Sequence, residues 1–168
     1  MLKAVLRLAL FSQMARVKRR YDRYLSLGDY FNDRWKKANL MGFGQGTSIY
    51  DNVLVIGNVK VGRDCWIGPN CILDGSGGEL VIGDKCAISA GVHIYTHNSR
   101  DVYISGGIKR NIRGSVTIGN NCFIGPNSVV ALGSTIGNNC TIGALSFVNG
   151  LSLEDGKTCF GIPAKVRD

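Results

Sequence analysis

From residue 49 onward an aliphatic side chain returns every six positions, and no other feature constrains the fold as tightly. One run is Ile49, Val55, Val61, Ile67 and Leu73. A second is Ile82, Ile88 and Ile94. A third is Ile112, Ile118, Ile124, Val130, Ile136, Ile142 and Val148. Glycine follows directly at seven of these fifteen positions, as at Gly62, Gly83 and Gly119, and the residue four places on is usually cysteine or serine. A helix buries one face with a period of about 3.6 and a half-buried strand with a period of about 2, so six suits neither as a long element. It suits short strands joined by tight corners, with glycine where a corner needs an unusual φ. Such units stack and bury one continuous core. The 23 glycines fit this plan, while three prolines and the lack of a G-x-y period exclude a collagen-like chain.

The pattern resembles the hexapeptide-repeat acyltransferases, closest to the maltose, galactoside and xenobiotic acetyltransferase group, over about residues 47–166. The resemblance implies an all-β chain, a left-handed parallel β-helix with three hexads per triangular coil. Fifteen hexads then make about five coils, beginning at Ile49, Ile67, Ile88, Ile118 and Ile136. On this division residues 1–46 are a basic N-terminal helical arm, 47–153 the β-helix with a loop at 96–111, and 154–168 a C-terminal tail. Asp74-Gly75-Ser76-Gly77-Gly78 and the loop both interrupt the corner between second and third hexads of successive coils. Loops held on a rigid scaffold are where function collects.

His93 and His97 are the only histidines. His93 alternates with inward Val92 and Ile94, so it points outward, in an expected exterior ladder of Leu54, Ile72, His93, Phe123 and Thr141. An apolar ladder on an outer face suggests a subunit contact, and a homotrimer is expected. His97 stands where a strand meets the long loop, in Ile94-Tyr95-Thr96-His97-Asn98. This resembles the Thr-His loop motif of the same group, which implies His97 as general base. A thioester is already activated, so a neutral imidazole that takes the acceptor proton and returns it to the departing thiolate suffices. No nucleophile-elbow motif appears, so transfer is expected to be direct. The partner of the second ring nitrogen is not identified by sequence; Asp101 is close along the chain.

The resemblance further implies acetyl-coenzyme A as co-substrate, with no metal required. The tail Gly161-Ile162-Pro163-Ala164-Lys165-Val166 is similar to the family's terminal motif, which would bring Lys165 to the nucleotide phosphates. Ala144 matches the small residue beside pantetheine, and Gly125 and Pro126 a similar position one coil below. Asn149-Gly150 stands where the family usually has Thr-Lys, which removes a cation that Lys109, Arg110 and Arg113 would replace. Asn70 and Asp74 take the place of residues that hold acceptor hydroxyls.

Cys65, Cys71, Cys86, Cys122 and Cys140 fall at the fourth position after the aliphatic, inside the prism as small fillers; Cys159 lies outside the repeat and has no assigned role. Reduced cysteines suit a cytoplasmic protein. The net charge of +8 is lopsided, since residues 1–40 hold ten basic against three acidic side chains, a balance of +7. The nearly neutral body offers no basic stripe for nucleic acid. Residues 1–25 read as an amphipathic helix with a seam of Leu2, Leu6, Leu10, Met14, Val17, Tyr21 and Tyr24. Arg7 interrupts any signal-peptide core. The helix suits peripheral contact with the inner membrane face or capping of the open solenoid end.

Three function classes compete. The first is an O-acetyltransferase acting on a sugar or lipid-linked sugar in cell-surface polysaccharide synthesis. The second is a γ-carbonic-anhydrase-like zinc enzyme, which needs three histidine positions where this chain has two histidines. The third is a non-catalytic solenoid scaffold, which leaves the His97 loop without a purpose.

Overall fold

The computed structural model describes residues 2–167; Met1 and Asp168, which end the arm and the tail, lie outside the described residues. The repeat region is a parallel β-solenoid. On its first face Ser48–Ile49, Trp66–Ile67, Ala87–Ile88, Phe123–Ile124, Thr141–Ile142 and Thr158–Gly161 pair in register, stacking Ile49, Ile67, Ile88, Ile124, Ile142 and Cys159. The second face stacks Val55, Leu73, Ile94, Val130 and Val148. The third stacks Val61, Ile82, Ile118, Ile136 and Leu153. All of these except Val55 are buried. Five turns are complete and Thr158–Gly161 opens a sixth, folding back antiparallel onto Ala164–Arg167.

Three sequence expectations shift. Ile112 is not a hexad residue: it pairs with Asn98 in an antiparallel arm and is 49% exposed. The loop therefore runs on to Ser115, Val116–Ile118 closes the third coil, and the next coils begin at Ile124 and Ile142 rather than Ile118 and Ile136. The outward ladder changes with the register, so Leu54, Ile72 and His93 continue as Val129 and Phe147, not Phe123 and Thr141. Residues 154–161 also join the stack, because Cys159 fills the aliphatic position above Ile142.

The corners give glycine the expected task and a second one. Left-handed backbone falls three places after the aliphatic, at Gly91, Gly133 and Gly156 as expected, and also at Asp64, Asn70, Lys85, Asn121, Asn127, Asn139 and Leu145. The glycine directly after the aliphatic is there for contact: a Cβ on Gly119 would lie 2.8 Å from the carbonyl carbon of Gly137 in the coil above. The cysteines and serines at the fourth position are all buried. Cys86 Sγ, for example, donates to Gly119 O at 3.0 Å.

Three helices precede the solenoid: α1 (Leu2–Tyr21), α2 (Leu27–Phe31) and α3 (Arg34–Leu40). Asp33 caps α3 by accepting from Trp35 N at 3.0 Å and Lys36 N at 3.1 Å. Ala38 of α3 and the following Phe43, 1% and 5% exposed, close the first coil. The end cap is thus α3, not α1. Helix α1 buries no residue. Leu10, Gln13, Met14 and Val17 are half-buried, whereas Leu2, Val5, Leu6, Leu8 and Phe11 are exposed. Ala4, Val5, Leu8 and Phe11 lie off the expected seam, so polarity divides largely along the axis, mostly apolar to Phe11 apart from Lys3 and Arg7 and basic from Arg16. Tyr24 lies beyond the helix. Among the described residues no helix is long and apolar enough to cross a membrane.

Candidate active site

Thr96 fixes the corner that carries His97. It is fully buried; its Oγ1 donates to Asp74 O at 2.8 Å and accepts from Gly77 N at 2.9 Å. Its carbonyl accepts from Gly114 N at 3.0 Å, which ties the returning arm to the same point. His97–Asn98 then pairs antiparallel with Ile112–Arg113, setting Arg113 opposite His97. Beneath this pair runs the coil-two excursion Gly75-Ser76-Gly77-Gly78, inside the continuous strand Ile72–Ile82. A Cβ on Gly77 would sit 2.5 Å from His97 Cβ and 2.7 Å from the Thr96 carbonyl carbon.

Asp74 is the second half of the site. It is 4% exposed, and its Oδ1 accepts from Ser76 N at 2.8 Å. Its Oδ2 lies 3.4 Å from His97 Nδ1, and Ser76 Oγ lies 3.3 Å from the same nitrogen. These are long contacts, of the kind that tighten when substrate binds. The His97 side chain is 30% exposed, so solvent and ligands reach it. A carboxylate facing Nδ1 selects the tautomer that leaves Nε2 as the basic lone pair. Tyr95 stacks directly above Asp74. Burial first, then the Asp74 charge, pushes the Tyr95 phenol above its ordinary range. Its hydroxyl lies 3.3 Å from Nδ1 of His93, which is half-buried on the outer surface of the second face.

The expected site residues divide between two corners. Asp74 is with His97, but as a buried neighbour of its ring rather than an open contact. Asp101 is not: it faces Arg100 at 3.7 Å and Lys109 at 3.9 Å. Asn70 is not near the insertion corner. It accepts from Asn52 Nδ2 at 2.6 Å, in left-handed backbone at the corner between the first and second faces. Pro126 and Ala144 occupy that same corner two and three coils higher. Gly125 is buried, and its Cβ position abuts the Ala144 amide. Asn149 is exposed and tops the column Asp74, Tyr95, Ala131 on the second face. Lys165 is exposed opposite Phe160 in the terminal hairpin. Around it Leu145, Phe160 and Ile162 are 64%, 45% and 77% exposed, an apolar strip beside Ala144 with two cations, since Arg167 stacks on Phe160 at 4.9 Å. That strip and its cations suit a pantetheine chain with phosphates at one end. Two features escaped the sequence: the Asp74–His97 pairing and Arg113 beside His97. Counting the 21-residue offset that stacks Asp74 under Tyr95 would have found the first.

Fold and repeat define the class. The repeats match the bacterial transferase hexapeptide (six repeats) over residues 115–150 and the hexapeptide repeat of succinyl-transferase over 58–96. The chain carries hexapeptide repeats of the bacterial-transferase type, and its solenoid is the left-handed parallel β-helix of that repeat. Among curated proteins it is similar to the carnitine operon protein CaiE of Proteus sp. (strain LE138), 34% identical over 125 residues, 71% of this chain and 64% of that protein. CaiE of Salmonella agona (strain SL483) is 30% identical over 70% of this chain and 62% of its own. The chain thus spans a little under two thirds of the length of these relatives. A hexapeptide-repeat acetyltransferase from Vibrio cholerae O1 biovar eltor, complexed with acetyl-coenzyme A, has a similar fold: TM-score 0.69, 23% identity, 95% of this chain and 86% of that one. AntD, an N-acyltransferase from Bacillus cereus in complex with dTDP and 3-hydroxybutyryl-coenzyme A, overlays with TM-score 0.66, 24% identity, 75% of this chain and 70% of its own.

Proposed function

We propose that this protein is a coenzyme A-dependent acyltransferase that O-acetylates a sugar hydroxyl, with His97 as general base. The observation that carries the reading is the buried Asp74 carboxylate facing His97 Nδ1 at 3.4 Å, on a half-exposed loop corner. Bound acetyl-coenzyme A would supply an acyl group already activated as a thioester. Asp74 holds the imidazole with Nε2 free. Nε2 takes the acceptor hydroxyl proton as the oxygen bonds to the acyl carbon. His97 then gives that proton to the thiolate as the carbon–sulfur bond breaks, and returns to its neutral form. A base so placed contributes roughly 10²–10⁴-fold to the rate.

The donor would run along the strip of Ala144, Leu145, Phe160 and Ile162, with Lys165 at its edge; Asn149 tops the other corner's column, above Ala131. Within one chain this strip and His97 belong to different corners, so a homotrimer supplies what a single chain lacks: one subunit's donor strip against its neighbour's His97. The ladder of Leu54, Ile72, His93, Val129 and Phe147 between those corners is the surface such an assembly would cover. Sugar acceptors of cell-surface polysaccharide synthesis, built at the inner membrane face, suit both this chemistry and the basic arm. The test is coenzyme A release by purified protein, read with a thiol reagent, across sugars, nucleotide sugars and lipid-linked sugars. Acceptor-dependent release lost in His97→Ala supports the reading; no release with any acceptor overturns it.

A further inference from the structure

The arm that returns from the long loop builds a second feature against His97. Helix α4 (Arg100–Ile104) and residues 109–113 enclose an open cavity of about 580 Å³ lined by Val102, Lys109, Arg110, Asn111 and Arg113. Three of these five side chains are cations. Arg113 stands opposite His97 in the antiparallel pair, so strand pairing fixes its backbone position next to that of the proposed base. Asp101 is the neighbouring acid, and it is already engaged with Arg100 and Lys109. Among the described residues, Arg110 and Arg113 have no carboxylate within 4.0 Å. Two free guanidinium forks and an ammonium around one concavity match the fork geometry of phosphate oxygens. The volume suits a small ligand rather than a single ion.

We infer that this cavity binds the diphosphate of the acceptor, making the acceptor a sugar carried on a diphosphate rather than a neutral free sugar. The inference rests on the acyltransferase reading for its catalytic meaning, since a diphosphate anchored at Arg110 and Arg113 would hold its sugar near His97. The diphosphate itself has two sources with one chemistry, a nucleotide carrier or a polyprenyl lipid carrier. Coenzyme A also carries a diphosphate, and the donor is the competing occupant.

The test is calorimetric titration of the full chain with inorganic pyrophosphate, UDP, farnesyl diphosphate and coenzyme A, for the parent, Arg110→Ala, Arg113→Ala and the double variant. The expected result is pyrophosphate binding that weakens roughly tenfold for each guanidinium removed, with coenzyme A affinity unchanged. Tighter UDP than farnesyl diphosphate binding identifies a nucleotide carrier and the reverse a lipid carrier; either supports the proposal. Pyrophosphate binding that is absent from the parent or unaffected by the variants overturns it. So does a loss of coenzyme A affinity in the variants, which would give the cavity to the donor. An absence of acyl transfer would sink the acyltransferase reading alone, because these titrations require no turnover.

Discussion

Gly77→Ala isolates the fit beneath the corner that carries the proposed base, His97. The added methyl would lie 2.5 Å from His97 Cβ and 2.7 Å from the Thr96 carbonyl carbon, and closer still to the Thr96 carbonyl oxygen. Carbon atoms pack at about 3.5–4.0 Å, so the layers must part by about 1 Å at the residue that bears the base. The opposing atoms are backbone and a Cβ, which no rotamer change can move away. A displacement of about 1 Å at a reacting group costs on the order of 10²-fold. Overpacking itself costs about 1–3 kcal/mol. In a chain of this size that lowers Tm by roughly 2–12 °C. Gly83→Ala is the control, because its Cβ would lie 2.8 Å from the Gly119 carbonyl carbon at a different corner. It should lose comparable stability while kcat stays within about twofold, as for an independent site. The measurements are coenzyme A-release kinetics and calorimetric Tm on both variants. Gly77→Ala with parental kcat and lowered Tm would refute the idea that the glycine floor positions His97. Equal kcat losses in the two variants would do the same.

His97→Ala should lower kcat by roughly 10²–10⁴-fold with donor binding retained, while His93→Ala should first weaken assembly; the opposite pattern would reverse the two assignments. Phe147→Glu places a charge on the outer ladder beside Val129 and should convert trimers to monomers in light scattering, whereas an unchanged mass would remove this face from the interface. A chain beginning at Gly28 should lose salt-sensitive co-sedimentation with anionic vesicles, given about 1 kcal/mol for each basic residue near the bilayer; equal binding by both chains would acquit α1.

Most of the solenoid was legible because its core is written in one letter class at one period. Where the period broke, so did legibility. Ile112 lies six residues before Ile118 and is aliphatic, yet it packs in an arm outside the core. Periodicity cannot tell an inward isoleucine from one in a hairpin that happens to keep step. That single hexad displaced the later coil starts and moved Phe123 and Thr141 onto the wrong face. Cys159 erred in the other direction: a cysteine at an aliphatic position hid the sixth turn. The arm misled for a third reason. A spacing of three and four fits a seam, but Val5, Leu8 and Phe11 put further apolar side chains off that seam, and all three are exposed.

The candidate site was legible as a place but not as a set of contacts. His97 at the insertion corner followed from motif and register together. Its partner did not, because Asp74 and His97 are neighbours through the stack rather than along the chain, and Asp101, the acid close in sequence, turns away to Arg100 and Lys109. The glycines show how the same stacking misdirects a motif. Gly125 stands where a ligand-facing glycine was expected, yet the amide of the coil above already occupies the space that a side chain would need. A glycine in this fold is explained by its stack neighbour before any ligand is invoked. Ala144, one coil up, is exposed, and the proposed donor strip runs beside it. Its corner is also the one that His97 does not share. On the proposed reading donor and base would be joined only where two chains meet, and activity should fall with dissociation even when every residue of the site is intact.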